Sequence, residues 1–402
     1  MSEAKPSRAL VMASLGLGQI LAWGSSYYLP AVLAKPIASD TGWSLPWIVA
    51  GLSIGSLTAG LIAPRVGRVI QVRGGGPVMM VGSVLLATGL LALGLAPSLP
   101  LHLLAWVVIG GGMGCALYDA AFSTLGRLYG HEARRAIATL TLFGGLASTV
   151  CWPLSVFFLE RFGWRGTCLA YAALHVGLTL PAYWLALPSR VEVKVQAPRP
   201  QARTELPEGG AGSDRPWFIF ALLATGIALG WGISSVLSVH LLTILQARGL
   251  ELAAAVALGV LVGPSQVGGR AAEMVLGKHY HPVWTLLASV VLVAVGLGLL
   301  ISSTSLTAVA LVCYGSGAGV ASIARGTLPL VIFGPDQYPL WVGRLAGPTL
   351  IAGAVSPALA AVLLDRAGAM ITLYVLEGLA LVNVIVAVLL YYAQGRGRSP
   401  RP

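Results

Sequence analysis

Apolar stretches of about 20 residues recur from one end of this chain to the other, each long enough to cross a bilayer as a helix. Nothing else in the sequence limits the fold as much. Within lipid, backbone groups must be satisfied inside the structure, which leaves helices or closed barrels. The alternation of a barrel strand is absent. Only 10% of the 402 residues are charged and 56% are hydrophobic, against about 25% charged in soluble domains. A water-facing surface cannot be made from this composition. The expectation is an all-α membrane protein with no room for a sizeable soluble domain. Pro, Gly and charge clusters punctuate the apolar runs. They give twelve transmembrane helices, at 9–34, 43–66, 77–96, 100–126, 135–160, 165–187, 216–242, 252–276, 282–302, 305–330, 339–364 and 369–393.

Orientation follows from lysines and arginines in the connecting segments. If the N-terminus is cytoplasmic, seventeen fall on the cytoplasmic side: Lys5, Arg8, Arg65, Arg68, Arg73, Arg127, Arg134, Arg135, Arg190, Lys194, Arg199, Arg203, Arg215, Lys278, Arg396, Arg398 and Arg401. Five fall on the other: Lys35, Arg161, Arg165, Arg248 and Arg366. The expected location is the inner (plasma) membrane, multi-pass, with both termini cytoplasmic. Lys5 and Arg8 ahead of the first span superficially suggest a signal peptide, but the span is too long for one. The net charge of +11 is then mostly topological. It needs no nucleic-acid partner, and the basic faces favour anionic lipid. Cys115, Cys151, Cys168 and Cys313 all lie in spans and lack zinc-ligand spacing, so buried free thiols and no metal are expected.

The longest polar stretch, around 188–215, reads as a flexible cytoplasmic linker. It divides the chain into an N-terminal six-helix bundle (1–187) and a C-terminal one (216–402). The two repeat each other. LERFG at 159–163 matches LDRAG at 364–368, and Gly110, Gly112 and Gly114 match Gly315, Gly317 and Gly319, both at an offset of 205. AWGSS at 22–26 echoes GWGIS at 230–234, and GLIAPRVG at 60–67 weakly echoes GRAAEMVL at 269–276. Six spans per half give both halves one orientation, and such repeats place a substrate site between them near the midplane. The glycine runs, with Gly51–Gly55, let backbones approach closely and are assigned to the surfaces on which the halves slide.

At this point the sequence resembles the major facilitator superfamily of secondary transporters, and it looks closest to the organic-anion branch that includes the monocarboxylate and oxalate/formate carriers. The resemblance rests on two six-helix bundles, a long central loop, and the segment Gly60-Leu61-Ile62-Ala63-Pro64-Arg65-Val66-Gly67-Arg68 between the second and third spans. The family pattern there is roughly G-x-L-x-D-R-x-G-R. Arg65 and Arg68 fit it as gate residues, Pro64 replaces the aspartate, and Glu273 stands at the equivalent acidic position of the second half. Trp106 lies near where the family carries an arginine in the fourth span, and Cys151-Trp152-Pro153 replaces the drug-antiporter signature of the fifth. The resemblance implies that spans 1, 4, 7 and 10 line a cavity.

Ionisable groups within spans are costly and therefore functional candidates. Gln266, Arg270 and Glu273 share one helical face. Arg270 offers a planar fork for an anion, or pairs with Glu273 to close a gate. Tyr314, Ser322 and Arg325 share a face of span 10. Asp119 corresponds to Ala324 by the repeat offset, so Asp119 and Arg325 are expected to approach across the interface, with Asp119 a proton-binding candidate. The other reading places Asp119 in an inner network with Arg65, Arg134 or Arg135. Arg344 faces the cavity or snorkels to the inner surface. Gln19, Trp23 and Tyr27 form a stripe that orients a small polar ligand or packs helices, and Trp231, Ser235 and Ser238 form a similar one. His175 and Glu377 fall on spans that are peripheral in the family fold.

A nucleophile–base set, a P-loop and a dinucleotide fingerprint are all absent, so neither an enzyme nor a cofactor is expected. The reading is a monomeric secondary active transporter moving a small organic anion by alternating access with a proton. Its rival is efflux of a toxic or hydrophobic compound in exchange for protons.

Overall fold

A computed structural model describes residues 7–188 and 216–395. The stretch assigned above to a linker, and with it Lys5, Arg190, Lys194, Arg199, Arg203, Arg215, Arg396, Arg398 and Arg401, lies outside the described residues apart from its first residue, Pro188. The first described segment holds α1 (Arg8–Ser25), α2 (Leu29–Thr41), α3 (Leu45–Arg73), α4 (Gly75–Gly94), α5 (Leu99–Ala116), α6 (Tyr118–Tyr129), α7 (Ala133–Gly145), α8 (Ala147–Leu174) and α9 (Leu180–Ala186). The second holds α10 (Pro216–Ala247), α11 (Leu252–Gly259), α12 (Val262–Leu276), α13 (Pro282–Ser302) and α14 (Thr307–Gly395).

Nine helical stretches among the described residues are long and apolar enough to cross a membrane, where the sequence analysis expects twelve. The difference lies in Ala133–Ala186 and Thr304–Gln394, which run on without a coil between limbs. Straight, the second would be about 137 Å long at ~1.5 Å per residue, against a hydrocarbon core of about 30 Å. It folds back instead. Gly163, Gly334 and Gly368 inside these stretches have φ of 68°, 74° and 81° with ψ of 179°, 161° and 174°, a region essentially confined to glycine, at about 1–3 kcal/mol for other residues. Across the middle break, Phe333 stacks on Trp341 at 4.4 Å and the Tyr338 hydroxyl donates to the Gly326 carbonyl at 2.5 Å. Positive-φ glycines recur in register: Gly42 with Gly249, Gly130 with Gly334, and Gly163 with Gly368, separated by 207, 204 and 205 residues.

Prolines both open helices and bend them. Proline stands in the first turn of α2, α3, α5 and α13, where its missing N–H costs nothing. Pro357, deep in α14, leaves the Gly353 carbonyl without its donor four residues on. Ser235 of α10 donates to that carbonyl at 2.7 Å, and His240 donates to the Pro357 carbonyl at 2.9 Å. The bend is thereby clipped to α10.

The glycine runs pack helices within each segment rather than between the segments, which corrects the expectation above. A Cβ on Gly110 would overlap the Gly55 carbonyl oxygen, one on Gly112 would lie 2.8 Å from the Leu86 nitrogen, and one on Gly114 2.9 Å from Ile62. Gly315, Gly317 and Gly319 meet Val262, Ser289 and Gln266 in the same alternation. Gly51 and Gly55 make room for the Trp106 indole. Large apolar side chains such as Leu61, Trp184, Leu359 and Ile385 face outward, as a lipid-facing surface requires.

Candidate functional site

The two segments meet along a seam that runs from mid-depth to one face of the molecule, the near face. That face gathers the ends at Arg8, Glu132, Gly76, Pro188, Gln71 and Asp336. Here α3 lies against limb 335–367 of α14, backbone on backbone. A Cβ on Gly67 would overlap the Pro339 carbonyl oxygen, one on Gly343 would lie 2.6 Å from the Ala63 oxygen, and one on Gly60 3.3 Å from the Gly347 oxygen. Gln71 donates to the Asp336 carbonyl, and the Tyr338 ring fills the space beside Gly126.

On the seam's other flank, Arg134 of α7 reaches the end of α12. It donates to the Gly277 carbonyl at 2.5 Å and to the Tyr280 carbonyl at 3.0 Å. A cation at a helix C-terminus is favoured by the helix dipole. Glu273 holds this corner together from below. Its carboxylate accepts from Thr285 at 2.6 Å and from the Tyr280 hydroxyl at 2.5 Å. Burial pushes that phenol up to about 12, and the hydrogen bond to the Glu273 carboxylate adds to the shift. Glu273 thus bonds two hydroxyls rather than Arg270.

Higher on the seam, Arg325 donates to both oxygens of Asp119, at 2.7 and 2.5 Å. The two side chains are 11% and 17% exposed, and Trp231 lies 5.4 Å from the guanidinium. Trp231 in turn meets Trp23 and Tyr27 at 6.3 and 6.2 Å, so an aromatic contact joins the segments next to the ion pair. Gln19 stands behind it, fully buried. It donates to the Ala116 carbonyl at 2.6 Å and accepts from the Trp23 indole at 3.2 Å. That spans the break at Leu117, where the chain leaves helical geometry between α5 and α6.

Arg270 is only 7% exposed. Its Nε donates to the Ser322 hydroxyl at 3.0 Å, and Ser322 donates onward to the Gly319 carbonyl at 2.7 Å. The hydroxyl proton is therefore committed, and its lone pair fixes the guanidinium plane. Nη1 points at Gly145 across the seam, where any Cβ would overlap it, and among the described residues it has no hydrogen-bond partner. The Tyr118 hydroxyl lies in the field of both Arg270 and Arg325, and Tyr118 stacks on Phe122 and meets Trp23.

Of the residues singled out in the sequence, Asp119, Arg325, Arg270, Ser322, Gln19, Trp23, Tyr27 and Trp231 come together. Gln266 packs its backbone against Gly319, and Tyr314 is buried in the second segment. Arg65 and Arg68 are exposed on α3. Arg344 lies elsewhere, against Trp217 and Trp341 at 5.2 and 5.0 Å. Gly145, Tyr118, Thr285 and Tyr338 were not legible as site residues; only Tyr118, beside Asp119, carried a signal. A cavity of about 470 Å³ between α10 and residues 348–379, lined by Ala228, Gly232, Pro348 and Leu376 among others, includes none of these charged groups. Exposed apolar side chains also occur in Trp152–Phe157 and Leu252–Val260.

The family model described as Major Facilitator Superfamily matches residues 15–280. Monocarboxylate transporter 11 of Mus musculus is 35% identical over 208 residues, 51% of this chain and 43% of that protein. Monocarboxylate transporter 11 of Homo sapiens is 32% identical over 251 residues, 61% of this chain and 49% of that protein. The chain thus spans less than half the length of these relatives. Among solved structures, the human organic anion transporter MFSD10 superposes with a TM-score of 0.74 at 17% identity, covering 95% of this chain and all of that one. The E. coli fucose:proton symporter superposes at 0.68 with 14% identity, over 98% of this chain. The helical architecture and the match over residues 15–280 agree, and the chain belongs to the Major Facilitator Superfamily.

Proposed function

We propose that this chain carries a small organic anion across the inner membrane by alternating access, coupled to a proton. One observation carries the reading: a buried arginine, Arg270, on the seam between the segments, whose Nη1 no described residue satisfies. An unpaired buried guanidinium costs several kcal/mol, and a carboxylate cancels that cost through paired, charge-assisted hydrogen bonds. Arg325 does not compete for the anion, because Asp119 neutralises it. The names of the monocarboxylate transporters support the same substrate class.

In this reading the breaks at Gly163, Gly334 and Gly368 divide the two longest stretches into limbs, giving twelve crossings in two bundles, with the near face cytoplasmic and sealed. Trp23, Tyr27 and Trp231 flank the anion site. A proton on Asp119 removes one charge of its pair and releases Arg325, which links protonation to separation of the bundles.

The test is uptake of labelled small carboxylates into proteoliposomes, with and without an imposed pH gradient. Gradient-stimulated uptake that Arg270→Gln abolishes is the expected result. Gradient-driven movement of cationic dyes, with carboxylates ignored and Arg270→Gln without effect, would replace this reading with the efflux one.

A further inference from the structure

We propose that Arg344, Trp217 and Trp341 form a site for the phosphate of an anionic lipid headgroup at the near face. The inference rests on the chain lying in a bilayer, not on the substrate assigned above.

Arg344 sits ten residues past the Gly334 turn, and its side chain runs back toward the near face, as helical side chains lean. Its guanidinium lies 5.2 Å from the Trp217 ring and 5.0 Å from the Trp341 ring. The two indoles are 5.3 Å apart and inclined at 67°, edge to face, so they make a notch. The notch is held rigid from behind. Phe333 stacks on Trp341, and the Trp341 indole donates to Gln337 at 3.0 Å. The arenes interact with the cation through their faces, and this leaves the N–H groups of the fork unspent. Among the described residues, Arg344 has neither an ion pair nor a hydrogen bond.

The corresponding corner of the first segment is built differently. There Arg8 lies 4.9 Å from the Tyr129 ring, but Glu132 stands 3.5 Å away and neutralises it. The second segment offers arenes, and no described acid pairs with Arg344. Trp217 opens α10 and is 60% exposed, with Phe218 beside it 50% exposed. Such residues place the notch at headgroup depth, where basic pockets between helices collect acidic lipid. The fork can pair with the phosphodiester of either headgroup, and it favours the one with net negative charge, because a zwitterionic headgroup carries its own cation against the phosphate. Exposed indole beside the fork gives the acyl chains a wall, which an inorganic ion does not use.

The full-length protein in mild detergent is titrated with phosphatidylglycerol, phosphatidylcholine or inorganic phosphate, and bound lipid is counted by native mass spectrometry alongside a thermal melt. The wild type is expected to prefer phosphatidylglycerol about tenfold, the scale of one charge-assisted pair. Arg344→Gln abolishes that preference, and Arg161→Gln, which removes an arginine 5.5 Å from the Phe157 ring elsewhere, leaves it intact. If Arg344→Gln does not purify as a monodisperse species, Trp217→Leu replaces it, with a several-fold loss expected. The proposal fails if the substituted protein keeps the full preference, if Arg161→Gln loses it equally, or if inorganic phosphate protects as well as the lipid.

Discussion

Cutting the ion pair between Asp119 and Arg325 should open the near face. The pair bridges the segments, and its partners are 11% and 17% exposed. Removing one partner of a buried pair costs about 3–5 kcal/mol. Residual solvent contact argues for a smaller figure, about 2 kcal/mol, because water screens part of the charge left behind. Once the seam opens, the orphaned charge is hydrated, so the penalty falls on the closed state alone. At ~1.4 kcal/mol per factor of ten, the open population rises about 30-fold. Gly347→Cys supplies a reporter, since a Cβ there meets only the Gly60 oxygen at 3.5 Å and so fits the closed seam. Cys115, Cys151 and Cys168 are buried, and Cys313, which is part-exposed, is replaced by Ala. Alkylation of Cys at 347 by an impermeant maleimide should accelerate about 30-fold in Asp119→Asn or Arg325→Gln. The charge-reversed double variant, Asp119→Arg with Arg325→Asp, should return most of the way to the parent rate. Unchanged single variants, or a double variant as fast as the singles, would refute the argument.

Ser322→Ala should raise KM for the transported anion about tenfold with kcat little changed, because it frees the Arg270 plane without removing the charge; Ser322→Thr should restore the parent value, and equal losses in KM and kcat would contradict this. Gly67→Ala places a Cβ on the Pro339 carbonyl oxygen, a backbone atom that cannot swing away, so the same cysteine reporter should alkylate at least as fast as in Asp119→Asn. Arg134→Gln removes a charged donor from two carbonyls at the end of α12, which should lower the melting temperature by several degrees, about 1.5–3 kcal/mol of charged hydrogen bonding.

The helical membrane architecture was legible because apolar run length is a property of the chain alone. The same holds for Asp119 and Arg325. Their near-equal depth follows from the repeat offset, which converts position in one segment into position in the other. Arg270 was visible as a charge in an apolar face, but its state was not. That Nη1 is unpartnered depends on where Ser322 and Gly145 stand, on two other helices. Glu273 misleads for the same reason: i, i+3 spacing suggests Arg270 as its partner, whereas Tyr280 and Thr285, seven and twelve residues on, reach it first. Arg344 carried one local sign of its surroundings, Trp341 three residues before it, but its other ring, Trp217, is 127 residues away in the chain. The glycine runs were recognised as contact surfaces, but periodicity does not say which helix occupies the space a glycine leaves. Gly55 and Leu86 do so for Gly110 and Gly112, inside one segment.

The turns at Gly163 and Gly368 bear on how the chain enters a membrane during synthesis. Helix runs directly into helix at each of them, with a single left-handed residue between the limbs. With the near face cytoplasmic, as proposed above, each such pair would enter as a hairpin, tip first, and the tip would be carried through the hydrocarbon. The tips bear opposite charges side by side: Glu160 beside Arg161 with Arg165 at the first, Asp365 beside Arg366 at the second. Neighbouring opposite charges would lower the net charge taken across in that passage.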